Sequence, residues 1–231
     1  MLKTAIILAA GLGTRMRPLT NDRPKPMIEV LDKPLIGYVI EMCLQAGVTE
    51  IIINFHYKPE PLKAYINAHY ADIVTLSNEE NLLLDSGGGT LKALQHTDAS
   101  EFFVINADCI WHSKHNALTE LYNDYQAEKY DVFKLLACPH HAIGFDSNPI
   151  YSLDEKGFIS KGLPLTSNFT GIQILKRSLF DHYTIEPFSI RSIWNHAFEN
   201  NRVGGIEYTG TWLHIGTPQA VIESAAYLKT I

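Results

Sequence analysis

The chain is poor in cysteine. Cys43, Cys109 and Cys138 are the three in 231 residues, widely spaced and without a C-x-x-C pair. That excludes a disulfide framework and a cysteine zinc site, and it suits reduced thiols in a cytoplasmic setting. Positive charge is also short: 19 Lys and Arg face 25 Asp and Glu, a formal net of -6. Non-specific nucleic-acid binding needs a basic face, so no nucleic-acid partner is expected. A few cations gathered in one cleft still attract an anionic substrate. No apolar run approaches the ~18 residues of a membrane span, so no membrane partner is expected either. The apolar start, Thr4 to Ala10, is short and runs on without a cleavage-like boundary. It reads as a first strand rather than a secretion signal. There is no internal repeat, low-complexity tract or clear linker. What is there, 46% hydrophobic and 19% charged residues, suffices for one globular domain with a sizeable core.

Strand and helix patterns alternate over the first 140 residues. Strands are expected at Thr4–Leu8, Glu50–Phe55, Ile73–Ser77, Phe102–Asn106 and Asp131–Cys138. Helices are expected at Pro34–Ala46, Pro59–Tyr70, Gly89–Leu94 and His115–Glu128. Pro34, Pro59 and Pro61 sit where helix starts tolerate proline, and Gly47 sits where a helix ends. Runs such as Ala-Ile-Ile-Leu and Phe-Phe-Val-Ile do not alternate, which suits a parallel sheet covered on both faces. The expected fold is α/β, a Rossmann-like, doubly wound, mostly parallel sheet. Beyond residue 140 the pattern loosens. A hairpin is expected around Asp154–Gly157, strands at Phe169–Leu175, Val203–Tyr208 and Trp212–Ile215, and helices at Ser189–Glu199 and Pro218–Leu228. The division is expected at 1–139 and 140–231, the second part completing the sheet and ending in a closing helix, all within a single domain 1–231.

The first strand runs into Leu8-Ala9-Ala10-Gly11-Leu12-Gly13-Thr14-Arg15, and Pro24-Lys25-Pro26 follows. A glycine turn after a strand exposes backbone N–H groups, and these bind phosphate. Arg15 and Lys25 add a guanidinium and an ammonium, so the region suits a polyphosphate. Two common phosphate loops are excluded. A dinucleotide fingerprint needs a third glycine where Met16 stands. A P-loop needs Gly-Lys-Ser/Thr, which is missing.

The longer string G-x-G-T-R-M-x-P-L-T with P-K-P resembles the signature of sugar-1-phosphate nucleotidylyltransferases. Further motifs follow in the family's order: Gly87-Gly88-Gly89, Asn106-Ala107-Asp108, Thr170-Gly171-Ile172 and Trp212-Leu213-His214-Ile215-Gly216-Thr217-Pro218. The triple glycine is most similar to the N-acetylmuramate-α-1-phosphate uridylyltransferase branch. The resemblance implies a nucleotide-diphospho-sugar transferase fold with a smaller sugar-binding lid. It also implies transfer of a nucleotidyl group from a nucleoside triphosphate, UTP favoured, to a sugar 1-phosphate. A mannose- or heptose-1-phosphate guanylyltransferase is the nearest alternative, and a weakly active nucleotide-binding regulatory protein is one of another class. A monomer or homodimer is expected.

The implied reaction sets one anion against another. A phosphate monoester is mostly dianionic at neutral pH, with its second pKa near ~6, so the nucleophile needs no general base. Catalysis is then positioning and charge neutralisation. The expected catalytic set is Arg15 on the β- and γ-phosphates, Lys25 near the α-phosphate, and Asp108 as a Mg²⁺ ligand at a strand end. By resemblance, the nucleotide contacts Leu8, Ala10, Gly11, Gly13, Thr14 and Arg15, with Gly87 and Gly88 against the nucleoside and Glu79 near the base or the turn. Asp85 is either a helix cap or a ligand contact. The acceptor sugar is placed near Asn168, Thr170 and Gly171. The departure is His214, which stands where the family has a second metal-binding Asp. Three readings stay open: His214 as a metal ligand, directly or through water; His214 as a donor to phosphate; or a chain with reduced activity.

Overall fold

The non-alternating runs are buried on both faces. Ala5, Ile6, Ile7, Ile51, Ile52, Ile53, Phe102, Phe103 and Ile105 are all fully inaccessible to solvent in the computed structural model, which describes residues 1–162 and 164–231. In chain order the principal strands are β1 (Thr4–Leu8), β2 (Glu50–Phe55), β3 (Val74–Asn78), β4 (Glu101–Asn106), β5 (Cys109–His112), β6 (Val132–Ala137), β7 (Ala142–Ile143), β8 (Asn168–Lys176), β9 (Val203–Glu207) and β10 (Thr211–His214). The helices are α1 (Leu35–Gln45), α2 (Glu60–His69), α3 (Asp85–Ala93), α4 (Ala117–Asp124), α5 (Arg191–Glu199) and α6 (Pro218–Leu228).

Seven strands form one sheet in the order β9-β6-β8-β4-β1-β2-β3. β1 pairs in parallel with β2 and β4, β2 with β3, and β6 with β9. β8 alone runs antiparallel to both its neighbours. The expected doubly wound, mostly parallel sheet is therefore present, and the second part of the chain completes it. One face packs on α1, α2 and α4 through Ile36, Ile40, Leu62, Ile66 and Leu118. The other packs on α3 and α5 through Ala93, Ile193 and Trp194. Each such fully buried Ile or Leu contributes ~1.5–3 kcal/mol. A smaller sheet, β5-β10-β7, lies with α6 over a third apolar cluster that includes Met16, Leu213 and Ile215.

Most boundaries agree within two residues with the sequence pattern. Two differ for physical reasons. α3 begins at Asp85, so Gly87, Gly88 and Gly89 lie inside a helix rather than in a turn before it. α4 is only Ala117–Asp124: the Asn116 side chain accepts from Leu118 N–H at 2.9 Å and caps its start, and the backbone turns extended at Tyr125, with φ -70° and ψ 129°, which ends it. Among the described residues, no helix is long and apolar enough to cross a membrane.

Lys134, at the middle of β6, is completely buried and has no carboxylate partner among the described residues. Its Nζ lies 3.2 Å from the centroid of the Trp194 ring and 4.9 Å from that of Tyr151. The Tyr151 hydroxyl, at 3.4 Å, is its one side-chain hydrogen-bond partner among the described residues. Burial pushes its ammonium well below the ordinary lysine value, and Lys161 and Arg191 push the same way. The folded chain thus binds this proton less well than the unfolded chain, so stability rises with pH across the window between the two values. Replacing a desolvated cation with an apolar side chain of similar size removes that penalty. Lys134→Met is expected to stabilise the fold by ~1–3 kcal/mol and to flatten the rise with pH. Urea unfolding at two pH values checks this; a midpoint equal to or below that of the native chain counts against it.

Candidate active site

The carboxyl ends of β1 and β4 open onto a cleft of about 620 Å³, lined by Leu8 to Met16, Lys25, Pro26, Asn54, Leu83, Asp85, Ser86, Asn106 to Asp108 and Gly216. Such an edge is where parallel α/β sheets bind ligands. Each wall has a local cause. The glycine loop leaves β1 with the Ala9 N–H donating to Asn54 Oδ1 at 2.6 Å. Gly13 has φ 62°, and a Cβ there would stand 3.0 Å from the Thr20 side chain and 3.2 Å from Lys25 Cβ. The Thr20 hydroxyl donates to Gly13 O at 2.8 Å, which closes the loop. Gly11 has nothing within 4 Å of where its Cβ would be, so the loop is bare at that point. Met16 is buried and pins the turn that carries Arg15. Arg15 itself is exposed and makes no ion pair among the described residues.

Lys25 begins a short turn after Pro24, and Pro26 is buried behind it. Its Nζ donates to Asp108 Oδ2 at 2.6 Å. Asp108 lies between β4 and β5, where Ala107 N–H donates to Leu8 O and Ile215 N–H to Asp108 O. Burial, the largest influence, pushes the Asp108 carboxyl up, but the Lys25 ammonium, His214 and the hydrogen bonds from Lys25 and Cys109 together hold it below its ordinary value. His214, at the end of β10, has Nε2 3.8 Å from the same Oδ2. Its Nδ1 lies 3.4 Å from Gly144 O. Burial pushes the ring below the ordinary histidine value against the pull of Asp108, and Lys25 adds to the push.

The cleft brings together Leu8, Ala10, Gly11, Gly13, Thr14, Arg15, Lys25 and Asp108, all expected there. Three sets of expected contacts are placed differently. Gly87 and Gly88 do not line the cleft; their N–H groups both donate to Phe188 O, and Cβ atoms on them would meet the Phe188 ring at 2.3 Å and Glu186 O at 2.1 Å. Their missing side chains make room for the chain itself. Asp85 and Ser86 form the lining instead. Glu79 is buried behind this wall and accepts from Asn54 Nδ2 at 2.7 Å and Leu84 N–H at 2.9 Å. It braces the turn and does not reach the cleft. Asn168 and Thr170 are buried within β8, where the Thr170 hydroxyl donates to Leu135 O and Asn168 Nδ2 to Ser147 O. Gly171 faces Asn106, with only 3.1 Å for a Cβ. The open space beside the cleft is a second hollow of about 580 Å³, bordered by Arg15, Asp146, Ser147, His214 and Thr217. Asn106 was expected as part of the Asn106-Ala107-Asp108 motif, whereas Asn54 and Ser86 were not singled out from sequence. Asn54 carried a signal, as a polar residue closing an Ile-Ile-Ile run.

A parallel sheet with a glycine loop, a presented lysine and an aspartate at one strand edge defines a nucleotidyltransferase cleft. Comparison with known proteins agrees. Residues 4–145 match the family model described as nucleotidyl transferase. The chain is 33% identical over 236 residues to the N-acetylmuramate alpha-1-phosphate uridylyltransferase of Caulobacter vibrioides, covering 98% of this chain and 97% of the relative. It is 31% identical to the Neisseria meningitidis protein of the same name, covering 96% of each. A mannose-1-phosphate guanyltransferase of Schizosaccharomyces pombe is also 31% identical, though the match spans 65% of that longer protein. The inositol-1-phosphate CTP transferase from T. maritima shares the fold at a TM-score of 0.79 and 15% identity, covering 99% and 95% of the two chains. This chain belongs to the nucleotidyl transferase family, and its enzyme class is that of the sugar-1-phosphate nucleotidylyltransferases.

Gly88→Ala places a Cβ against the Glu186 carbonyl, a backbone atom with little freedom to yield. It is expected to cost ~1–3 kcal/mol of stability and to weaken nucleotide binding by displacing Asp85 and Ser86. Urea unfolding together with a nucleotide titration checks this; an unchanged midpoint would show that the packing around α3 is loose.

Proposed function

We propose that this chain transfers a uridylyl group from UTP to N-acetylmuramate 1-phosphate, releasing pyrophosphate and forming UDP-N-acetylmuramate, a step in peptidoglycan recycling. The observation that carries the reading is identity of 33% and 31%, along nearly the whole chain, to two relatives with that name. The cleft supports the chemistry. The acceptor phosphate is already an anion, so the protein's task is to neutralise and align. The free backbone around Gly11 and the unpaired Arg15 receive the β- and γ-phosphates, and the guanidinium offers a bidentate grip. Lys25 lies deeper and serves the α-phosphate, where charge builds up during in-line displacement. Its present partner is Asp108, so phosphate takes over an ammonium that the carboxylate has kept in place.

A divalent cation, magnesium on the sequence reading, would be held by Asp108. The carboxylate suits such an ion: Asp108 lines the cleft, and its Oδ2 lies 2.6 Å from Lys25 Nζ and 3.8 Å from His214 Nε2. When bound, the ion supplies charge neutralisation on the phosphates. The acceptor sugar is assigned to the side of the second hollow, with Asp146, Ser147 and Thr217 as hydrogen-bonding groups.

Pyrophosphate release with a panel of triphosphates and sugar 1-phosphates tests the reading. The expected pair is UTP with N-acetylmuramate 1-phosphate. GTP with mannose 1-phosphate as the best pair would move the chain to the guanylyltransferases, and tight nucleotide binding without turnover would make it a regulatory protein. Lys25→Ala is expected to lower kcat by roughly 10²–10³, as for the loss of one transition-state donor. A loss below about threefold would remove Lys25 from this role.

A further inference from the structure

We infer that Asn54 and Glu79 are positioning residues for the nucleotide: their side chains join the two walls of the cleft at a fixed spacing, and this sets affinity for the triphosphate without affecting that for the sugar phosphate. The inference rests on the nucleotidyl-transfer reading and adds the pair that does the positioning.

The join starts on the phosphate side. Ala9, the first residue after β1, donates its N–H to Asn54 Oδ1 at 2.6 Å. Asn54 Nδ2 donates in turn to Glu79 Oε1 at 2.7 Å. Glu79 Oε2 accepts from Leu84 N–H at 2.9 Å. Leu84 immediately precedes α3, whose first residues, Asp85 and Ser86, line the opposite wall. Asn54 is 2% exposed and Glu79 1%. Each lost bond therefore leaves a buried polar group unpaired.

The polarity of the join is specific. Both of its ends are backbone N–H donors, so the atoms that meet them must accept. An amide offers one acceptor and one donor, and a carboxylate offers two acceptors. Two arrangements of amide and carboxylate satisfy all three contacts: the amide at 54 with the carboxylate at 79, as here, or the reverse. Two amides set a donor against Leu84 N–H, and two carboxylates set acceptor against acceptor.

The surrounding chain is fitted to this contact. A Cβ on Gly89 would stand 2.6 Å from both Asn54 Nδ2 and Glu79 Oε1, so the third glycine lets α3 rest on the central bond. The Glu79 backbone is tied to the exit of β2, its N–H donating to Phe55 O at 2.8 Å and its carbonyl lying 2.7 Å from His56 Nδ1. The carboxylate thus cannot follow a displaced wall. Ser77, the register partner of Asn54 on β3, carries a buried hydroxyl with no hydrogen-bond partner among the described residues. It lies beside the join and takes no part in it.

A ligand that touches both walls is misaligned when their spacing changes. The triphosphate is such a ligand, with its phosphates on the Gly11 to Arg15 side and its nucleoside on the Asp85 and Ser86 side. The sugar phosphate is assigned to the second hollow, which neither Ala9 nor Leu84 borders.

The test is steady-state kinetics of the full chain with UTP and N-acetylmuramate 1-phosphate, and calorimetric titration with UTP. Asn54→Asp and Glu79→Gln each break one link and are expected to raise KM and Kd for UTP by about 10-fold, with KM for the sugar phosphate changed less than about twofold. Glu79 does not reach the cleft, so its variant reads positioning alone. The double variant Asn54→Asp/Glu79→Gln reverses the polarity at constant net charge, and UTP binding is expected to return to within about threefold of the native value. Ser77→Ala is expected to leave UTP binding unchanged. Single variants that fold and bind UTP as the native chain does would overturn the inference, as would a loss that falls equally on both substrates or on kcat alone. So would a double variant that fails to fold or binds UTP no better than the single ones. Where a single variant does not fold, the double variant decides. Failure of the transfer reading shows separately, in the native protein, as no pyrophosphate release with any pair of triphosphate and sugar 1-phosphate.

Discussion

The contact between Lys25 and Asp108 organises this molecule. The two charges are 83 positions apart in sequence and meet at 2.6 Å, each three-quarters or more shielded from solvent. Partly exposed pairs of this kind contribute little to net stability. The importance of this one lies in where it stands. A carboxylate at the mouth of a phosphate-binding cleft would repel its ligand, and an ammonium there would wander on a flexible stem. Paired, each keeps the other at the place where phosphate arrives. The proline-flanked turn presents one partner, and the crossover from β4 to β5 presents the other.

A second set of polar contacts runs beneath the cleft. Ala9 N–H, the Asn54 amide, the Glu79 carboxylate and Leu84 N–H form one continuous series of hydrogen bonds. It joins the exit of β1 to the entry of α3, the two walls between which a nucleotide would lie. Burial pushes the Glu79 carboxyl up, opposed by Leu84 N–H and the Asn54 amide. Such a series holds its members to one geometry because each would otherwise be a buried polar group without a partner.

The parts of the site that were legible in sequence are those whose chemistry is local. Gly11 to Arg15, Pro24 to Pro26 and Asp108 follow from a strand, a turn and a charge within a few residues of one another. α6 was legible throughout its length because Thr217 caps it and Pro218 opens it. Illegible parts depend on distant partners. A run of three glycines signals close approach but not what approaches: here Phe188 and Glu186, about a hundred positions on, meet Gly87 and Gly88, and the Asn54 and Glu79 side chains meet Gly89. Asn168 and Thr170 resemble ligand contacts as a string, yet β8 is an interior strand and its polar atoms serve the sheet. His214 was flagged as a departure from the resembled pattern, but its ring lies between Asp108 and the Gly144 carbonyl, which only folding brings near.

The position of β8 also governs the order in which the molecule takes shape. Residues Asn168–Lys176 enter between β4 and β6, so the centre of the sheet is among the later pieces to leave the ribosome. Until then the β4 edge beside Asp108 is an unpaired strand of Phe, Val and Ile, the kind of surface that recruits a neighbouring chain. Synthesis therefore passes through an interval in which the glycine loop and Lys25 already exist while the strand beneath Asp108 lacks one neighbour. Antiparallel pairing of β8 with β4 and β6 closes that edge. It seals the sheet, and it delivers the remainder of the chain to the side where His214 must land.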